Sequence, residues 1–220
     1  MRLAVFDLDN TLLAGDSDHL WGRWLVQHGI VDAERYACEN DRFYREYQAG
    51  TLDIHEYAAF SLRPLVERPL VEMLDLRARF IVDQIEPLVA PGAPTLLEKH
   101  RAQGDLLLIT TATSRFVTEP IAALLGIEHL IATDPEREGG GYTGRIDGMP
   151  NFQGGKVTRL RAWLAAQPQA FTHMSCYSDS HNDIPLLEMG DAAVAVDPDP
   201  VLLATARARH WPVISLREAA

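Results

Sequence analysis

The sequence predicts a doubly wound α/β fold, a parallel sheet with helices on both faces, into which a bundle of helices is inserted. Three observations predict it. From residue 91 onward, short apolar runs alternate with stretches of helical periodicity, the pattern of a parallel sheet. Between residues 16 and 86 helix signals follow one another with no strand. Finally, Asp7, Asp9 and Asp179 stand just past expected strands, at the edge where open parallel sheets bind ligands.

In chain order, residues 3–6 read as a buried strand. Gly15-Asp16-Ser17-Asp18 is a turn and helix-start signal, and a helix is expected over 18–28, closed by Gly29. Further helices are expected over 32–48, 53–62 (halted before Pro64) and 69–86, with Pro69 as the first helical residue. Then come a helix at 92–103, a strand at 105–111 with a hydroxyl end, a helix at 115–125 and a strand at 129–132. The glycine-rich stretch 134–150 predicts a β-hairpin or flap. Helix 156–166, strand 172–178, helix 182–189, strand 192–196, helix 200–209 and strand 213–216 complete the chain. The expected division is a core of 1–15 and 88–220 and a helical cap of 16–87, with hinges at Gly15 and 87–91.

The chain has 220 residues and a net charge of −11. That charge argues against nucleic acid or an anionic membrane as the main partner, since both need a basic footprint. An anionic substrate would then require local positive charge from a metal or a few placed cations. Cys38 and Cys176 form neither a disulfide framework nor a zinc pattern. With no apolar leader and no run long enough to span a bilayer, the expected location is cytoplasmic. Of the 20 basic residues, 18 are Arg. Such a chain keeps a Lys where a compact point charge is needed. Lys99 reads as a solvated helix residue, which leaves Lys156.

Asp7 and Asp9 are the first chemical candidates. A carboxylate can act as nucleophile towards phosphorus, and a second one beside it as general acid and base. Asp179 and Asp183, in Tyr-Ser-Asp-Ser-His-Asn-Asp, again follow a strand. Together with Asp7 they would make a hard oxygen site suited to Mg²⁺, which keeps several waters and few carboxylates. Lys156 follows Gly154-Gly155 at a helix start, where amides and ammonium could both face a phosphate. Thr111 could donate to a phosphate oxygen, with Thr110 nearly as good by spacing. His19 reads as a helix-face residue.

These four elements, in this order, resemble the haloacid dehalogenase superfamily. Asp7-Leu8-Asp9-Asn10-Thr11 matches its first motif, the strand ending at Thr111 the second, Lys156 the third, and Asp179 with Asp183 the fourth. The resemblance implies a Rossmann-like core with a C1-type helical cap, and a Mg²⁺-dependent phosphomonoesterase. Asp7 would be the phosphorylated nucleophile and a metal ligand. Asp9 would be the general acid/base and a ligand through its backbone carbonyl. Thr111, Lys156 and Asn182 would bind the phosphoryl group. Asp179 would complete the metal shell, and Asp183 would ligate through water or orient Lys156. The helical cap, the flap and the Tyr-Ser-Asp-Ser-His-Asn-Asp stretch are similar to the phosphoserine-phosphatase-like group. In that group an acid at the spacing of Asp16 contacts the substrate ammonium and a cap Arg holds its carboxylate. Asp16, Asp18 and Arg63 are therefore the expected substrate-selecting residues. Alignment by Pro69, however, puts Ser61 at the Arg position. Some proteins of this appearance are histidinol-phosphate phosphatases, whose substrate has an ammonium and no carboxylate, and the chain leans that way. The alternatives are phosphoserine or a phosphotransferase reaction. The expected partner is a small phosphate ester, with the protein a monomer or homodimer.

Overall fold

The computed structural model describes residues 1–218. Its centre is a six-stranded sheet, all parallel, made of β1 (Arg2–Phe6), β2 (Leu106–Ser114), β3 (His129–Thr133), β6 (His173–Ser178), β7 (Ala192–Val196) and β8 (Val213–Ile214). They run in the order β3-β2-β1-β6-β7-β8. Two further strands, β4 (Pro135–Glu138) and β5 (Gly141–Ile146), form a separate antiparallel hairpin. Gly139 and Gly140, both at positive φ, make its two-residue turn, which only glycine adopts at little cost.

Alternation along β1 explains the two-sided core. Ala4 and Phe6 belong to one apolar cluster, Leu3 and Val5 to the other, because successive strand residues point to opposite faces. The first face is covered by α6 (Ala93–Ala102) and α7 (Arg115–Leu124). The second is covered by α8 (Gly154–Ala165), α9 (Ile184–Leu187) and α10 (Pro200–Ala208).

Five α-helices lie between β1 and α6: α1 (Ser17–Gln27), α2 (Ala33–Ala49), α3 (Ile54–Ser61), α4 (Arg63–Glu67) and α5 (Leu70–Phe80). Asp16, Asp32 and Asp53 cap the first three by accepting backbone N–H bonds. Helix α4 was not expected. Pro64 does not merely end the preceding helix; it sits in the first turn of a new one, where its missing N–H costs nothing. Pro69 is the N-cap of α5 rather than its first helical residue. The stretch expected as helix 182–189 is a 3-10 turn followed by the four-residue α9. Strand β2 runs three residues past its expected end, to Ser114.

The chain leaves the sheet and returns to it at neighbouring points. Leu13 and Val89 form an antiparallel bridge. Ala14 N donates to the Leu88 carbonyl at 2.7 Å, and Ala90 N to that of Leu12 at 2.9 Å. No helix among the described residues is long and apolar enough to cross a membrane.

Candidate active site

The register of the sheet assembles the site. Phe6 lies level with Ile109 on one side and Tyr177 on the other, so Asp7, Thr111 and Asp179 emerge from three adjacent strands at one edge. Asp7 N donates to the Tyr177 carbonyl at 2.9 Å, fixing where the strand ends. Beyond it, residues Leu8–Leu12 make one wide turn in which Asp9 and Asn10 leave helical dihedrals. That kink turns Asp9 towards the inserted helices.

Helix α8 brings Lys156 from the second face. Its entry requires Gly155, whose Cβ would stand 2.1 Å from the Pro150 carbonyl oxygen. The Lys156 ammonium, 2% exposed, donates to Asp7 Oδ1 at 2.8 Å and to Asp183 Oδ2 at 2.7 Å. Ser178 Oγ also donates to Asp183 Oδ2, at 2.8 Å. Burial works against charge on Lys156, but Asp183 and Asp7 outweigh it and hold the ammonium above its ordinary value. Burial pushes Asp7 up to about 7, against the pull of Lys156. Asp7 Oδ2 has no hydrogen-bond donor among the described residues.

Asp9 is held at both oxygens. Ser17 N donates to Oδ1 at 2.6 Å, and the hydroxyls of Thr113 and Thr111 donate to Oδ2 at 2.8 and 3.3 Å. Burial, then repulsion from Asp16, raises its carboxyl to about 6 despite these donors. Asp179 accepts from Thr11 Oγ1 at 3.0 Å. Burial first, then the charges of Asp7 and Asp183, hold it well above the usual carboxylate range.

The metal candidates differ in what their side chains meet. Among the described residues no three acidic, imidazole or thiol side chains converge to hold a metal ion. The Asp9 carboxylate is turned to Thr113 and Ser17, and Asp183 is committed to Lys156 and Ser178. Asp7 and Asp179, with the Asp9 backbone carbonyl, are the groups that would hold Mg²⁺, an ion that uses few carboxylates. The charge of the site agrees, since Asp7, Asp179 and Asp183 share a single ammonium.

Asp16 and Asp18 both line the same cleft as Asp7 and Asp9, walled on the helical side by Phe43, Tyr44, Tyr47 and Tyr57. Burial raises both carboxyls to about 7. Asp16 Oδ1 accepts from His19 N at 2.8 Å. His19, expected only as a helix-face residue, lines the cleft and stacks on Tyr44 with ring centroids 4.4 Å apart.

Two expected residues stand elsewhere. Arg63 does not line the cleft; its Nε pairs with Glu67 one helical turn on, at 3.4 Å. Asn182 reaches sideways, accepting from Gln153 Nε2 at 3.2 Å and donating to the Tyr47 carbonyl at 3.4 Å, so it ties α2 to the start of α8. Of the two threonines, Thr111 faces Asp9 while Thr110 accepts from Asn151 Nδ2 at 3.0 Å. Sequence reasoning missed Thr113 and Asn151. Asn151 is fully buried and also donates to the carbonyls of Thr111 and Ile131, pinning the loop before Lys156 onto the sheet. The signal for Thr113 was strand alternation, which puts it on the face of Thr111. Asn151 had no local signal.

The family model of the haloacid dehalogenase-like hydrolases matches residues 4–188. A histidinol-phosphatase of Neisseria meningitidis is 39% identical over 220 residues, covering 98% of this chain and 99% of that protein. The crystal structure of a protein with unknown function from Bordetella pertussis Tohama I is 43% identical, with a TM-score of 0.92 over 98% of each chain. A phosphoserine phosphatase solved as a phospho-aspartyl intermediate analogue is 16% identical, with a TM-score of 0.70 over 99% of this chain and 93% of that one. That likeness is one of fold.

Proposed function

This chain belongs to the haloacid dehalogenase-like hydrolase family and is a phosphatase, and we propose that its substrate is histidinol phosphate. One observation carries the choice. The leaving-group side of the cleft presents Asp16 and Asp18, and none of its lining residues is Lys or Arg. A leaving group with an ammonium and no carboxylate is matched there, whereas a substrate carboxylate would meet two acids and no Lys or Arg. The name of the 39% identical relative agrees.

In this reading Asp7 Oδ2, the oxygen left free by Lys156, attacks the phosphorus, and the bond to the leaving oxygen breaks as an aspartyl-phosphate forms. Asp9 gives its proton to that leaving oxygen. In the second half it takes a proton from the water that attacks the aspartyl-phosphate, restoring Asp7 and releasing phosphate. A carboxyl poised near 6 suits both duties at neutral pH. Lys156 and Thr111 steady the phosphoryl oxygens, and Asp183 orients Lys156. Mg²⁺, held by Asp7, Asp179 and the Asp9 carbonyl, supplies the remaining positive charge when bound. The inserted helices act as a cap that closes on the sheet edge and excludes water from the first step.

The test is kinetic, with histidinol phosphate and phosphoserine side by side. Repulsion of an unpartnered carboxylate by Asp16 and Asp18 predicts a kcat/KM ratio of at least about 10² in favour of histidinol phosphate. A ratio near one overturns the substrate assignment. Acid-quenched turnover of labelled substrate should leave label on the wild-type protein and none on Asp7→Asn, which should be inactive. An Asp7→Asn enzyme with wild-type turnover overturns the chemistry.

A further inference from the structure

The outer face of α5 carries an apolar stripe with nothing over it. The helix continues without a break through Ile81–Ile85. Its inner face sends Met73, Leu76 and Phe80 into the core. Its outer face presents Val71, Leu74, Ala78 and Val82, all exposed, Val71 at 76% and Val82 at 58%. Spacings of three and four residues set these four in one line along the helix. Single exposed apolar residues are ordinary on a protein surface, but a continuous stripe about three turns long marks a contact site.

Asp75 and Arg79 border this stripe on one side, one turn apart. An acid and a base so spaced on one helix commonly pair with each other. Here they do not. The neighbouring charges are already spent, since Arg68 pairs with Glu72 and Arg77 donates to the Phe116 carbonyl at 2.7 Å. Asp75 and Arg79 have no ion-pair partner among the described residues, and the Arg79 guanidinium rests over the Trp24 ring, 5.4 Å from its centroid.

We propose that a second copy of this chain covers the stripe, in a two-fold dimer whose α5 helices run antiparallel. The charges select both the occupant and the direction. A two-fold contact is isologous, so that if one residue meets another, the reverse contact forms as well. Asp75 set against Arg79 of the second copy therefore gives two ion pairs, and the axis passes beside Arg77. About that axis Val71 meets Val82 of the second copy and Leu74 meets its Ala78. One register thus satisfies the apolar residues and the charges together. A parallel pair would set Asp75 against Asp75 and Arg79 against Arg79, which like-charge repulsion disfavours. The exposed ion pairs add little affinity and mainly fix the register, while the apolar stripe holds the two copies together. None of these residues lines the cleft, so each subunit keeps a complete site.

The experiment is sedimentation equilibrium of the full chain over a range of concentrations, with thermal melts and turnover of 4-nitrophenyl phosphate to confirm that every variant folds. Wild type should reach the mass of a dimer. Val71→Glu and Val82→Glu, each present twice per dimer, should weaken association at least about tenfold and leave turnover unchanged. Asp75→Arg and Arg79→Asp should each weaken it by setting like charges opposite one another, and the two together should restore it with the signs exchanged. A wild-type chain that sediments as a monomer at every concentration overturns the proposal. So does a dimer that both glutamate variants leave intact, since it must then use another face. A double charge exchange no better than the single ones overturns the antiparallel pairing.

Discussion

Lys156→Met is the sharpest single perturbation of this site. The side chain is nearly isosteric, so what it removes is the ammonium that donates to Asp7 at 2.8 Å and Asp183 at 2.7 Å. Two buried carboxylates then face each other with no cation between them. Removing one partner of a buried ion pair costs about 3–5 kcal/mol. For a chain of this length that is a fall in Tm of roughly 6–20 °C. The carboxylates limit the damage by taking up a proton. Asp7, already raised to about 7 by burial, moves higher, so the cost at pH 5 should be smaller than at pH 8. Adding Asp183→Asn to Lys156→Met should recover part of the loss, since the pair is coupled through the missing charge. The same substitution also removes a positive charge from the transferred phosphoryl group, and kcat should fall by about 10²–10³. Thermal melts at pH 5 and 8, with turnover of 4-nitrophenyl phosphate, read all three effects. If Lys156→Met melts within about 2 °C of wild type at pH 8 and keeps its kcat, then Lys156 is a bystander and the charge accounting is wrong.

Thr113→Val removes the 2.8 Å donor to Asp9 Oδ2 and should lower kcat about tenfold while leaving KM for the phosphate ester nearly unchanged, with Thr113→Ser restoring activity; steady-state kinetics decide. Asp16 and Asp18, each held at about 7 by burial, give a pH signature. Because their folded values lie above the unfolded carboxylate value, charging them disfavours the folded state, and the Tm of the ligand-free protein should fall between pH 5 and 8. Over the same range inhibition by ethanolamine, whose ammonium keeps its charge, should strengthen, and a flat inhibition constant would refute the assignment of charge to this cleft.

The parts of the fold that could be read from the chain are those written in local pattern. The strands expected at 3–6 and 172–178 sit directly before Asp7 and Asp179, so strand, edge and acid were visible together. β2 was read short because four of its last five residues, Thr110, Thr111, Thr113 and Ser114, bear hydroxyls, and a strand whose buried face is polar looks like a strand that has ended. With that end went Thr113. Helix α4 was hidden because a proline stops one helix and starts another with the same ring. Arg63 shows a different limit. It stands near the position where the resemblance puts a cap Arg, but which way a helix residue points depends on register, and register depends on packing that a single sequence does not display. Asn151 depends wholly on tertiary contact, since its amide is useful only once β2, β3 and the loop before α8 have met.

The position of β1 sets an order of assembly. Of the six strands of the sheet it leaves the ribosome first, yet its neighbours β2 and β6 begin at Leu106 and His173. At 5–20 residues per second, its first partner is about 5–20 s behind it and its second several seconds later still. Until then an apolar strand with both edges bare travels with the nascent chain, while the five helices that follow it can already form. The strand that carries the nucleophile is therefore the segment most in need of shelter during synthesis, and slowing translation between residues 100 and 175 should lengthen its exposure and raise the fraction of chains captured by chaperones or lost to aggregation.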